Sequence, residues 1–120
     1  MPISRCNSAG FQILLGLALF VVFILATQPL DGPVLVEIND KVAHALTFLT
    51  LAFLADAGWP ETSFNWTKAG WLFAYGVAIE VTQSFIPFRM FSFLDMLANG
   101  SGLLLYAVVM FPLLKKFAWR

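Results

Sequence analysis

Apolar residues fill this chain in four stretches, each closed by proline, glycine or charge. Residues 11–28 are apolar apart from Gln12 until Thr27, and Pro29 ends them because its ring cannot continue a helix. Residues 41–57 run to Gly58-Trp59-Pro60, residues 68–86 to Pro87, and residues 91–114 to Lys115-Lys116. A helix of about 20 residues, rising about 1.5 Å per residue, crosses a hydrocarbon core of roughly 30 Å. The second stretch is the shortest. Its deficit is met from Val34-Leu35-Val36 or by local thinning of the bilayer. The loops are short, so consecutive helices are predicted to be antiparallel and packed as one domain over residues 1–120. The fold expected is all-α, an integral membrane four-helix bundle.

Composition agrees with lipid as the solvent. Of 120 residues, 60% are hydrophobic and 12% charged, against about 25% charged in a soluble domain. Seven basic and seven acidic side chains cancel, which leaves no basic footprint for a nucleic acid. The single cysteine, Cys6, excludes an internal disulfide and a cysteine metal cluster. Arg5 followed by an apolar run also describes a signal peptide. However, Ile24-Leu25-Ala26-Thr27-Gln28-Pro29 places large residues where cleavage needs small ones, so an uncleaved first helix is expected.

With four spans, Arg5, Lys68, Lys115, Lys116 and Arg120 fall on one side of the membrane and only Lys41 and Arg89 on the other. Basic residues stay in the cytoplasm, so both termini are predicted to be cytoplasmic, in a multi-pass protein of the bacterial inner membrane. Trp59, Trp66, Trp71 and Trp119 then lie near the inner interface, where amphipathic rings settle.

This orientation gathers the polar residues. Asp40, Lys41 and His44 open the second helix, Glu80 and Gln83 sit in the outer third of the third, and Ser92, Asp95, Asn99 and Gly102 follow helical spacing on one face of the fourth. Arg89 occupies the turn between the last two. Ionisable groups within a span cost roughly 2.5–3.5 kcal/mol each on insertion scales. The expectation is therefore one outward-opening pocket lined by Asp40, Lys41, His44, Glu80, Gln83, Arg89, Ser92, Asp95 and Asn99.

Each residue also has a structural reading. Asp40 serves equally as a helix N-cap, and His44 as a hydrogen-bonded packing residue. Glu80 and Asp95 serve equally to neutralise Arg89 and His44 between helices. Ala98 and Gly102 read as a close helix contact, and Asp56 as a solvated residue at a helix end. A zinc site would need His44 with Glu80 and Asp95. No metal centre and no cofactor is predicted.

The order Asp40-Lys41-x2-His44-x3-Phe48, then Glu80-x2-Gln83, then Pro87-x-Arg89-x2-Ser92-x2-Asp95-x3-Asn99-x2-Gly102 resembles the VanZ-like family of small bacterial membrane proteins. The likeness extends from Asp40 to about Tyr106, which stands where many members carry a second glycine. It implies a cell-envelope theme, with a link to resistance against teicoplanin-type glycopeptides, and names no reaction.

Three function classes follow. In the first, the pocket binds or protects an envelope component such as a lipid-linked wall precursor or a lipophilic glycopeptide. Arg89 and Lys41 would then hold phosphate, and Phe85, Phe88, Phe91 and Phe93 would wall an acyl or prenyl tail. In the second, a membrane-embedded enzyme uses His44, Glu80 and Asp95 as acid-base groups on a lipid-linked phosphate or glycosyl substrate. The third, an ion-coupled transporter, ranks lowest because four helices leave little room for a pathway.

Overall fold

The computed structural model describes residues 5–28, 38–87 and 92–117. Among them the structure is helical, with no strand. Four helices follow one another: α1 (Arg5–Ala26), α2 (Ile38–Gly58), α3 (Trp66–Gln83) and α4 (Phe93–Lys116). Each differs slightly from the predicted spans. The first begins earlier, because Asn7, Ser8 and Gly10 continue the helix below the apolar run. The second gains three residues at its start, so its deficit is met from residues 38–40, while Val34–Val36 lie outside the described residues. The third stops at Gln83, where Ser84 and the turns to Pro87 unwind it.

Three of the four, over Asn7–Ala26, Asp40–Gly58 and Phe93–Lys116, are long and apolar enough to cross a membrane. The third helix has membrane-scale length but carries Lys68, Glu80 and Gln83 within its 18 residues, which dilutes its apolar character. The whole measures 47 × 24 × 21 Å, close to the roughly 40–45 Å of a bilayer with its headgroups. The outward faces carry Ile13, Leu17, Phe20, Leu25, Leu97 and Val108, all exposed. Water would not tolerate that surface; lipid does.

Side-chain contacts set the directions. Gln12 meets Gly58, and Lys68 at the start of α3 meets Asp56 at the end of α2, so α2 runs antiparallel to both α1 and α3. Lys41 meets Asp95 while Asp56 meets Tyr106, so α2 and α4 run parallel, side by side. α2 is the central element and packs against the other three. The core, Leu15, Phe48, Leu51, Ala52, Leu54, Ala55, Leu72, Leu103 and Tyr106, is drawn largely from α2.

Two residues bring α2 and α4 together. Gly102 lies so close under α2 that a Cβ there would collide with the Ala45 carbonyl oxygen and stand 3.0 Å from Leu49 N. Gly76 on α3 similarly leaves room for the Phe48 ring and the Asn99 amide, each 3.0 Å from where its Cβ would be. The small-residue contact expected at Gly102 is therefore present, with Ala98 half-buried beside it.

α4 is not uniform. Residues Tyr106–Met110 form a π-helical turn, in which Phe111 N–H reaches back to Tyr106 O. Pro112 follows in the next turn. It lacks an N–H and its ring crowds the preceding carbonyls, and the wider turn accommodates that ring.

Candidate functional site

Polar side chains from three helices meet at one end of the bundle. α2 supplies Asp40, Lys41 and His44. Asp40 is the third residue of its helix and not its cap, a position where negative charge complements the helix dipole. Its carboxylate faces Lys41 Nζ through Oδ2 at 3.3 Å and His44 Nε2 through Oδ1 at 3.8 Å.

α4 supplies Ser92, Asp95 and Asn99. Ser92 adopts an extended conformation and caps the helix, its hydroxyl accepting from Asp95 N–H at 3.2 Å. The Ser-x2-Asp spacing resembles a capping box, in which the acid would return a bond to the serine N–H. That return bond comes from another helix here: Ser92 N–H donates to Glu80 Oε2 at 3.0 Å. Asp95 is thereby left to face α2, and it does so with both oxygens. Its Oδ1 pairs with Lys41 Nζ, and its Oδ2 lies 3.7 Å from His44 Nε2. The other ring nitrogen, His44 Nδ1, lies 3.0 Å from Asn99 Oδ1 and donates to it.

α3 supplies Glu80, which is fully buried beside Asp95. Its Oε1 is buried with no hydrogen-bond partner among the described residues. Gln83 does not join the cluster. Its amide turns to the end of α1 and donates to Ala26 O at 2.7 Å, satisfying a carbonyl that the helix terminus leaves free. Arg89 lies outside the described residues, and its expected approach to Glu80 or Asp95 lies there with it.

Of the nine residues assigned to the pocket, Asp40, Lys41, His44, Asp95 and Asn99 form one connected set, with Ser92 and Glu80 behind it. Asp40, His44 and Asp95 each bring a ligand atom within 4.8 Å of the other two. That trio replaces the His44–Glu80–Asp95 set weighed from sequence, because Glu80 is turned toward Ser92. Asp40, 51% exposed in its side chain, opens the cluster to the surface, while Asp95 is nearly covered.

The phenylalanines expected to wall an acyl tail do otherwise. Phe85 and Phe93 point outward, 84% and 72% exposed, while Phe88 and Phe91 lie outside the described residues. A different apolar groove of about 830 Å³ runs between α3 and α4, bounded by Phe64, Trp66, Phe73, Gly100, Leu103 and Val108. It begins at Gly100, next to Asn99 in sequence, and extends toward the opposite end of the bundle.

That opposite end holds a second polar assembly that the spacing did not disclose. Asp56, read from sequence as solvated, is completely buried. Its Oδ1 takes Lys68 Nζ at 3.0 Å and its Oδ2 accepts from Tyr106 O–H. Lys68 also donates to Trp59 O and Thr62 O, each at 2.9 Å, and so closes the α2–α3 loop from within. The available signal was an acid and a base flanking a short loop, with Tyr106 where a glycine was awaited. Tyr106 packs this half of α4 through its ring and hydroxyl, at no exposure.

No protein-family model, curated protein or solved structure matches the chain.

Proposed function

We propose that this chain is a VanZ-like, four-span protein of the bacterial cytoplasmic membrane, with both termini in the cytoplasm, that binds the polar head of a cell-envelope lipid in its outer cluster. The observation carrying this reading is the concentration of Asp40, Lys41, His44, Asp95 and Asn99 at one end of the bundle, open at Asp40. Structural adhesion would need one satisfied pair. Here three carboxylates, an ammonium and an imidazole share a space, and one buried oxygen is still without a partner. The α3–α4 groove, which presents small and aromatic apolar walls from Gly100 toward the opposite end of the bundle, supports a lipid occupant. A lipid-linked wall precursor or a lipophilic glycopeptide supplies both a polar head and a long tail.

Lipid mass spectrometry on the protein extracted in native membrane discs tests the reading. A co-purifying polar lipid, lost from His44→Ala and retained by Trp71→Leu on the exposed face, is the expected result. An unchanged lipid profile in His44→Ala overturns it.

A second reading, an embedded enzyme acting on a lipid-linked phosphate or glycosyl substrate, draws on the His44 ring held between two carboxylates. Glu80→Gln separates the two. It keeps the shape and the acceptor for Ser92 N–H but removes the charge. Binding survives in part, whereas acid-base catalysis through Glu80 is lost.

A further inference from the structure

The oxygens around His44 are divided between two roles. Lys41 takes Asp95 Oδ1 and Asp40 Oδ2. The remaining oxygens, Asp95 Oδ2 and Asp40 Oδ1, are the two that face His44 Nε2, at 3.7 and 3.8 Å. These separations exceed hydrogen-bond reach. Because His44 Nδ1 donates to Asn99 Oδ1, a neutral ring directs its Nε2 lone pair at both carboxylates. Three acceptors facing one another repel unless a proton on Nε2 or a metal ion lies between them.

Their spacing suits a metal ion. Bonds of about 2.0–2.2 Å from zinc to imidazole nitrogen and carboxylate oxygen place neighbouring ligand atoms roughly 3–3.5 Å apart. One ligand atom each from Asp40, His44 and Asp95 already lies within 4.8 Å of the other two, and the half-exposed Asp40 side chain can close the remainder. Behind these three residues, Glu80 is fully buried beside Asp95, its Oε2 held by Ser92 N–H.

We propose that Asp40 Oδ1, His44 Nε2 and Asp95 Oδ2 bind one divalent transition-metal ion at the outer end of the bundle. One imidazole with two carboxylates suits Zn²⁺ or Mn²⁺. Three protein ligands leave a coordination position for water or for a phosphate or carboxylate oxygen from outside. Asn99 is the positioning residue that sets the ring's tautomer and angle. Glu80, by bonding Ser92 N–H, leaves Asp95 to turn toward the ion.

The site is testable with metal alone, so it stands or falls separately from the lipid reading. The full chain, purified in detergent and stripped with a chelator, is dialysed against Zn²⁺, or Mn²⁺ in a second arm, and its metal content is measured. One ion per chain is expected in at least one arm. His44→Ala and Asp95→Asn should weaken binding by about a hundredfold, and Asn99→Ala by about tenfold through the loss of ring orientation. Asp95→Asn also breaks the Lys41 pair and can unfold the end of the bundle. Asp40→Asn, on a half-exposed side chain, keeps that pair. It should weaken binding at least about tenfold with an unchanged melting temperature. Failure of the stripped wild-type chain to retain either ion, or equal retention by His44→Ala and Asp40→Asn, overturns the proposal.

Discussion

His44 Nδ1 stands 3.0 Å from Asn99 Oδ1, joining the second turn of α4 to the second turn of α2. This bond sets which ring nitrogen meets the carboxylates of Asp40 and Asp95. It depends on two glycines. Gly76 leaves space beside the Asn99 amide, and Gly102, one turn further along α4, lets the helices approach until backbone meets backbone. The polar cluster is therefore a consequence of close helix packing as much as of the polar residues themselves.

Gly102→Ala should push α4 from α2 and destabilise the bundle by about 1–3 kcal/mol, the usual range for overpacking. Gly70→Ala, where a Cβ meets nothing within 4 Å, serves as the control. Unfolding in graded denaturing detergent, followed by tryptophan fluorescence, measures both. Equal midpoints for the two variants would contradict the close contact.

At the end of the bundle opposite His44, Asp56→Ala should be among the most damaging single changes. It removes both the Lys68 partner and the Tyr106 acceptor at a site with no solvent exposure. Breaking one half of a buried pair costs about 3–5 kcal/mol. Tyr106→Phe, which loses only the hydroxyl, should cost about 1 kcal/mol. The same unfolding assay ranks them, and a larger loss for Tyr106→Phe would show that Asp56 is satisfied in some other way.

Gln83→Leu should leave the His44 cluster intact and loosen α1. Its amide is the tie between α3 and the Ala26 carbonyl, and side-chain hydrogen bonds between membrane helices average about 0.6 kcal/mol. Faster proteolysis or hydrogen exchange at the end of α1, with wild-type metal and lipid retention, is the expected pair of results. Loss of lipid retention instead would return Gln83 to the pocket.

Topology has its own check. Reporter fusions after Pro33 and after Lys116 should report opposite sides of the membrane, with the second cytoplasmic. The same side for both would mean that one helix does not cross, and α3, the least apolar, is the one to examine first.

Much of this was legible along the chain. Apolar runs of membrane length, ended by Pro29, Gly58-Trp59-Pro60 and Pro87, specify helices because backbone groups in lipid must bond within their own segment. The three- and four-residue spacing of Ser92, Asp95, Asn99 and Gly102 specifies a shared face for the same local reason. Asp40, Lys41 and His44 likewise had to lie within one turn or so of each other. These are properties of a single helix and need no knowledge of its neighbours.

Which acid meets which base was decided between helices. Glu80 and Asp95 looked interchangeable in sequence. Only the crossing of α3 with the start of α4 gives Glu80 to the Ser92 N–H and turns Asp95 toward Lys41 and His44. Asp56 looked solvated because it closes an apolar segment. The return of α3 puts Lys68 against it, and the π turn begins at the tyrosine whose hydroxyl reaches it. Phe85 and Phe93 looked like pocket walls by proximity in sequence, yet both are exposed, Phe85 in the turn after α3 and Phe93 as the first residue of α4. Residue periodicity sets the face of each helix. The partner on that face follows from the crossing angle and axial offset of neighbouring helices, set by the steric fit of Gly76 and Gly102 against residues 23 to 57 positions away.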